Sequence, residues 1–285
     1  SGCGSSSQKK DEPPVYSPLQ VLVPEATGKE TLGSSPMILD VSNISQGYFI
    51  AQSDSSDLTC SLQIISPSGV LYSYFIAPGE SSTVTFTEGS GDYTITGYQQ
   101  VQGDQYAALY SETVTVQLEN DFLPFLYPNQ YVNFTPDSKA SQLALSQIDE
   151  DTVDVDALQQ IYDYVVSNLT YDYEKADTVT TGYLPDVDET LKTGTGICFD
   201  YAALTTAMLR SCDIPCKLQI GYAGDIKHAW IDVYIRSKGW VNQAVSFKGD
   251  TWTLMDPTFD SNSDDKEAIQ DYIGDESNYT VQFTR

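Results

Sequence analysis

The stretch that decides the fold of the C-terminal half is residues 194–202, which read GTGICFDYA. The residues after Cys198 have the apolar spacing of a helix that must end before Pro215. A cysteine at the start of a helix meets free backbone N–H groups, and the helix dipole favours its thiolate. Cys212 and Cys216 lie near or beyond the other end of this helix, where the dipole disfavours a thiolate. The sequence therefore indicates Cys198 as the candidate nucleophile.

The chain contains one histidine, His228, so any cysteine–histidine mechanism must use it. An imidazole base needs an acceptor for its second nitrogen. Asp232 shares a face of the predicted strand with His228, but four strand residues span about 13 Å, which is too far for a hydrogen bond. Asp256 ends a strand that we expect to neighbour the strand of His228. We therefore predict Asp256 as the orienting acceptor, with Asn242 and Gln243 as alternatives.

Three separated motifs occur in an order and spacing that resemble the transglutaminase-like family. They are residues 196–202, residues 228–233 (HAWIDV) and residues 252–258 (WTLMDPT), and the resemblance covers about residues 150–285. It implies a papain-like α+β core in which Cys198 is the nucleophile, His228 the base and Asp256 the orienting residue. The isoleucine before Cys198 departs mildly from the family's usual aspartate or valine.

The side chain that would complete an oxyanion hole cannot be read from these motifs. Tyr171, Tyr173 and Tyr183 lie in the loop from which such a donor could come.

Residues 36–120 have a different pattern, in which short runs of Val, Ile, Thr, Tyr and Phe alternate with turn residues. About seven such runs predict an all-β antiparallel sandwich. Residues 91–96 (GDYTIT) resemble the start of the penultimate strand in bacterial immunoglobulin-like domains. This region lacks histidine, lysine and arginine, and its Cys60 has the setting of a small buried hydrophobe. We expect a spacer or adhesion module here, followed by a catalytic domain over residues 121–285.

Residues 1–35 mix Ser, Pro, Gly and charged residues without periodicity, which predicts a flexible tether. The small residues Ser1 and Gly2 directly before Cys3 resemble the end of a bacterial lipobox. We therefore predict that Cys3 is acylated and that the protein is an extracytoplasmic, membrane-anchored bacterial lipoprotein. Beyond that anchor we expect no membrane contact, because no run of about 18 apolar residues occurs.

The chain is strongly acidic, with 40 Asp and Glu against 14 Lys and Arg and a net charge of -26. Such a field disfavours nucleic acids and anionic lipids as partners. Asp260, Asn262 and Asp264 have the first spacings of a calcium loop, but Asp265 occupies the position that requires glycine. A solvated acidic loop is the simpler reading, and we expect neither a metal nor another cofactor.

Cys212 and Cys216 could form a small disulfide or remain two buried thiols, and we favour thiols.

These observations predict an extracytoplasmic thiol enzyme that acts on amide bonds. The Cys198 thiolate would attack an amide carbonyl, and the thioester would pass to water or to an amine. Peptides, proteins or peptidoglycan stem peptides are the expected substrates, and the sequence does not separate hydrolysis from cross-linking. The alternative is a catalytically silent cell-surface binding or adhesion protein with a transglutaminase-like scaffold.

Overall fold

The computed structural model describes residues 11–180, 182–223, 226–248, 250–255 and 279–285. The chain divides into two compact units. Residues 11–15 and Pro24–Tyr127 form the first, and Tyr16–Val23 with the described residues from Pro128 to Arg285 form the second. Within these ranges, no helix has both the length and the apolarity needed to cross a bilayer.

The described residues of the first unit form eight strands in two antiparallel sheets. One sheet has the order β1-β2-β3-β6 and the other β5-β4-β7-β8. The strands are β1 (Thr31–Ser34), β2 (Met37–Asp40), β3 (Tyr48–Ser53), β4 (Cys60–Ile65), β5 (Leu71–Ile76), β6 (Ser81–Thr85), β7 (Gly91–Gln102) and β8 (Gln105–Val116). Their alternating side chains bury one face of each sheet, as Cys60, Leu62 and Ile64 do on β4.

The two sheets face each other across an aromatic interior. Phe86 follows β6, and its ring lies 5.6 Å from that of Phe49 on β3 and 4.8 Å from that of Tyr93 on β7. The hydroxyl of Tyr110 on β8 donates to the carbonyl of Met37 on β2 at 2.6 Å. This part of the chain therefore has the two-sheet sandwich arrangement, in which β2–β8 are the seven strands predicted within residues 36–120 and β1 precedes that range.

Tyr93 closes the turn that leads into β7. Its hydroxyl donates to the carbonyl of Gly89 at 2.8 Å and accepts from the N–H of Glu88 at 3.1 Å. A tyrosine at the start of a late strand that bonds back to the preceding backbone fixes the corner between the two sheets.

The first unit extends past the predicted end at residue 120. Leu123, Phe125 and Leu126 are buried, and the ring of Tyr127 lies 4.7 Å from that of Tyr48. The aromatic connector therefore packs with the sandwich, because its side chains have apolar partners there.

The predicted tether over residues 1–35 also differs from the structure. Tyr16–Val23 belongs to the second unit, where Val21 lies in the core and the N–H of Gln20 donates to the Asp213 carboxylate at 3.3 Å. From Thr31 onward the chain forms β1. Leu19 and Val21 supply apolar surface that a purely polar tether would lack.

The second unit packs helices on an antiparallel sheet. The helices are α1 (Lys139–Gln147), α2 (Asp154–Asn168), α3 (Tyr173–Thr178), α4 (Val187–Thr193) and α5 (Cys198–Ser211). Two short strands, β9 (Thr170–Tyr171) and β10 (Thr195–Gly196), pair in parallel. Within the described residues, the main sheet has the order β14-β13-β12-β11-β15. Its strands are β11 (Cys216–Ala223), β12 (Ile226–Ile235), β13 (Gly239–Lys248), β14 (Thr251–Leu254) and β15 (Tyr279–Thr284).

The sequence explains the position of α5 against this sheet. Its residues after Phe199 are buried through Ser211, because small and apolar side chains occupy nearly every position. Alternate residues of β12, from Ala229 to Ile235, belong to the same core. This α+β packing places the first residue of α5 beside the start of β12.

Candidate active site

Cys198 is the first residue of α5, and its side chain is half-buried. The local sequence starts the helix there because the Asp200 carboxylate, at the third helical position, accepts from the N–H of Ile197 at 2.9 Å. Burial raises the pKa of the Cys198 thiol, and the N–H groups of Ala229 and Phe199 offset only part of that effect. The prediction of a lowered thiol pKa is therefore wrong in direction, since desolvation outweighs the helix N-terminus.

His228 lies on β12, where it pairs with Gly221 of β11 and is 6% exposed. Cys198 and His228 line the same pocket, which has a volume of roughly 410 Å³. The backbone N–H of Ala229, the next residue after His228, interacts with the Cys198 thiol. The structure thus brings two of the three predicted catalytic residues to one cavity.

Asp256 lies outside the described residues, as do Cys3 and the candidate calcium loop at residues 260–271. The N–H of Met255, the residue before Asp256, donates to the carbonyl of Ala244 at 2.9 Å. Strand β14 therefore pairs with β13, which separates it from β12. The strand before Asp256 is therefore not the hydrogen-bonded neighbour of the strand of His228, and the role of Asp256 stays a prediction, because that residue lies outside the described ranges.

Asp232 has partners of its own in the sheet. Its carboxylate accepts from the Gln219 amide at 2.9 Å and from the N–H of Gln243 at 2.8 Å. Burial raises the pKa of the Asp232 carboxyl, and these hydrogen bonds together with Lys217 offset only part of that increase. These contacts support the exclusion of Asp232 as the orienting residue for His228.

The two alternative orienting residues differ in their surroundings. Asn242 is exposed. Gln243 is buried with a φ of 53°, and its side-chain oxygen has no hydrogen-bond partner among the described residues. Because this oxygen accepts no hydrogen bond from them, Gln243 does not orient His228 in the structure, and its backbone lies opposite Asp232 rather than opposite His228.

Lys175 and Tyr183, both partly exposed, form a cluster around the buried Asp200 that the sequence did not predict. The Lys175 ammonium lies 2.9 Å from the Asp200 carboxylate and 4.5 Å from the centre of the Tyr183 ring. The Tyr183 hydroxyl donates to the other carboxylate oxygen of Asp200. The sequence offered one indication of this cluster. Asp200 lies two residues after Cys198 on the predicted helix, and a carboxylate that is buried there needs a partner.

This cluster positions one wall of the pocket. Ala176, Val179, Thr180 and Tyr183 line the cavity and belong to α3 or the segment after it. Lys175 and Tyr183 tie both ends of that segment to Asp200 on α5. Burial alone would lower the pKa of Lys175, but its bonds to Tyr183 and Asp200 raise that pKa, which keeps the ammonium charged.

The three candidate oxyanion tyrosines have different settings. Tyr173 is exposed, and its hydroxyl donates to Asp250. Tyr183 is bonded to Asp200. Tyr171 lines the pocket, and burial together with the negative charge of a Cys198 thiolate raises its pKa. Tyr171 is therefore the tyrosine whose hydroxyl best fits a role as a neutral hydrogen-bond donor at the reacting centre.

Comparisons with known proteins bear on this same region. Residues 141–257 match the model of the transglutaminase-like superfamily. Among solved structures, a candidate cysteine protease from Cytophaga hutchinsonii is similar at 16% identity and a TM-score of 0.38, over 84% of this chain and 83% of that one. No curated protein matches the chain. The family match includes Cys198 and His228, and residues 141–257 are accordingly a transglutaminase-like domain.

Proposed function

We propose that the protein is an extracytoplasmic thiol enzyme that acts on amide bonds of peptides or proteins. One observation carries this proposal: Cys198, at the N-terminus of α5, and the only histidine of the chain line the same pocket. In the proposed triad Cys198 is the nucleophile, His228 the base and Asp256 the residue that orients His228.

The raised pKa of Cys198 favours a mechanism that begins from a neutral thiol. His228 accepts the thiol proton while the sulfur bonds to the amide carbonyl carbon. The N–H groups at the start of α5 and the Tyr171 hydroxyl hold the resulting oxyanion. His228 then gives the proton to the leaving amine as the C–N bond breaks, and a thioester remains on Cys198.

The thioester passes to water in a peptidase or amidase and to a second amine in a cross-linking enzyme. We favour hydrolysis. The substrates would be peptides, surface proteins or peptidoglycan stem peptides, which an enzyme anchored through an acylated Cys3 would meet outside the cell. Strong net acidity supports the exclusion of nucleic acids.

We propose further that the sandwich of residues 31–116 is an immunoglobulin-like domain. The hydrogen bonds of the Tyr93 hydroxyl to the backbone of Glu88 and Gly89 support this assignment, because they form the tyrosine corner of such domains. The domain would act as a spacer or binding module beside the enzyme.

One observation favours the second candidate, a catalytically silent binding protein. Burial raises the pKa of Cys198, as it does for structural cysteines. In that case His228 would be a packing residue of the sheet, and alkylation of Cys198 would not depend on it.

The test is alkylation of the full-length Cys3→Ser protein with iodoacetamide, followed cysteine by cysteine by mass spectrometry. Cys198 should react much faster than the buried Cys60, Cys212 and Cys216. Faster reaction of Cys198 could also result from its greater exposure alone. The decisive variant is therefore His228→Asn, which should slow alkylation of Cys198 by roughly 10²–10⁴.

Asp232→Asn is the matched control, because it changes a buried polar group on the same strand that does not line the pocket. Incubation with peptides and hydroxylamine should also yield hydroxamates from a Cys198 thioester. Equal Cys198 rates in the wild type and His228→Asn would contradict the enzyme and favour the silent scaffold.

A further inference from the structure

The sheet β5-β4-β7-β8 of the first unit has one face that points into the sandwich interior and one that points outward. On β4, Cys60, Leu62 and Ile64 point inward and are buried, so Ser61, Gln63 and Ile65 point outward. The registers of the other three strands extend this outward set into rows across the sheet. We call these rows the outer face.

Aromatic side chains occupy one end of the outer face. Phe75 on β5 and Tyr98 on β7 flank the small Ser61, and Tyr106 lies on β8 next to them. The rings of Phe75 and Tyr106 are 6.1 Å apart at an angle of 52°, and Phe75 is 50% exposed. This partly exposed ring pair forms an apolar platform on the sheet.

Hydroxyl and amide groups occupy the middle of the outer face. Ser73, Gln63, Thr96 and Ser111 follow one another across the four strands. The Tyr98 hydroxyl donates to the Gln63 side-chain oxygen at 3.3 Å, which leaves the Gln63 amide N–H groups as donors. Thr96 and Ser111 hydroxyls lie 3.2 Å apart. Such groups both donate and accept hydrogen bonds.

The rows named above, and the next row of Leu71, Ile65, Thr94 and Thr113, contain no charged residue. Charged residues make up 19% of the whole chain, and the net charge is -26. The first charged position on this face is Asp92, whose carboxylate accepts from Thr115 at 2.7 Å. An anionic ligand would be repelled by the chain, and a cationic ligand would prefer its acidic surfaces. The partner that complements the outer face is therefore uncharged.

We propose that the outer face binds an uncharged polysaccharide. A pyranose ring presents an apolar C–H face and a rim of hydroxyl groups, which match the platform of Phe75 and Tyr106 and the hydroxyl and amide row beside it. The rows run across four strands, which suits a chain of sugars rather than a single one. This site makes no use of Cys198, so it stands apart from the proposed enzymatic function.

The test is a binding isotherm of the full-length protein on insoluble cellulose and chitin and on soluble neutral glucans, with polygalacturonate as the anionic comparison. At least one neutral polymer should bind, and Phe75→Ala and Tyr106→Ala should each weaken that binding about tenfold. Tyr106→Phe, which keeps the ring, should bind like the wild type. Val153→Ala, an exposed apolar change in the second unit, is the matched control and should have no effect.

Binding by Cys198→Ala should equal that of the wild type, so loss of the enzymatic proposal would leave this result intact. The proposal is overturned if no neutral polymer binds, if polygalacturonate binds better, or if folded Phe75→Ala and Tyr106→Ala bind unchanged. It is also overturned if the protein is a dimer that Phe75→Ala dissociates, because a second copy would then cover the outer face.

Discussion

The two units of the chain bury different kinds of side chain. In the first unit, the described interior is apolar and aromatic, and Asp40 is the charged residue within it. The second unit buries Asp200, Arg210, Asp213, Asp232 and Arg285. Removing charges from water is expensive, and hydrophobic replacements are often at least as stable. The difference indicates that the first unit is optimised for packing, whereas the second keeps buried charges that position particular segments.

Arg210 illustrates how the second unit uses such a charge. Its guanidinium donates to the carbonyls of Cys216 and Arg285 at 2.7 and 2.9 Å, and burial lowers its pKa to about 10. Arg210 thereby joins α5 to β11 and to the last residue of the chain. A neighbouring polar contact, from the Cys216 thiol to the Thr206 hydroxyl at 3.4 Å, belongs to the same layer, and Cys212 and Cys216 are unbonded to each other.

The largest effect is expected from replacing Asp256, which we propose orients His228. The comparison residue is Asp232, whose carboxylate is hydrogen-bonded within the sheet. Asp256→Ala should lower the Cys198 alkylation rate by roughly two to four orders of magnitude, because a misoriented base cannot take the thiol proton. Asp256→Asn should be milder, since an amide oxygen still accepts from the imidazole. The rates are measured against pH with iodoacetamide.

Asp232→Ala is the control, and it should leave this rate nearly unchanged. It should still cost about 1–3 kcal/mol of stability, because Gln219 and the N–H of Gln243 lose their acceptor. If Asp232→Ala abolished the reactivity of Cys198 while Asp256→Ala spared it, the assigned roles would be reversed.

The next effect concerns the Lys175–Asp200 pair. Lys175→Met should reduce the free energy of unfolding by about 2 kcal/mol, because the buried Asp200 loses its cation. The double variant Lys175→Met/Asp200→Asn should recover part of that loss, since the unpaired charge is gone. Urea denaturation measures the four members of this cycle. Additive losses would show that the two residues do not act as a pair.

A smaller effect is expected at Asp213, where burial raises the pKa to about 7 from an ordinary value of 3.8. The unfolded chain ionises first as the pH rises, so the stability that neutral Asp213 provides is lost between about pH 4 and pH 7. Asp213→Asn should therefore stabilise the protein by about 1–2 kcal/mol above pH 7, after allowance for solvent screening, and by little near pH 4. Asparagine also tolerates the φ of 60° at this position. A pH-independent gain in thermal denaturation would contradict this account.

The smallest effect is expected in the first unit, where polar groups play a lesser part. Tyr93→Phe removes the hydroxyl that bonds to Gly89 and Glu88 and should cost about 1 kcal/mol. A loss at Tyr93 as large as that at Lys175 would remove the contrast between the two units.

The sequence by itself determined the local features of the second unit. In residues 155–169 the apolar side chains recur at helical spacing, and α2 spans Asp154–Asn168. The helix predicted to follow Cys198 and to end before Pro215 is α5, and the strand predicted to carry His228 is β12. The resemblance to the transglutaminase-like family, predicted for about residues 150–285, is confirmed as far as residue 257. These features follow from neighbours along the chain, which a sequence displays directly.

Only the tertiary structure decided the features that depend on distant contacts. It reversed the expected pKa direction of Cys198, because burial by other elements outweighs the helix N-terminus. It inserted β13 between the strand before Asp256 and the strand of His228. It also packed Val21 into the second unit and joined Lys175 to Asp200. Desolvation, strand order and ion pairing depend on which residues come into contact from distant parts of the chain. A local sequence pattern does not specify those contacts.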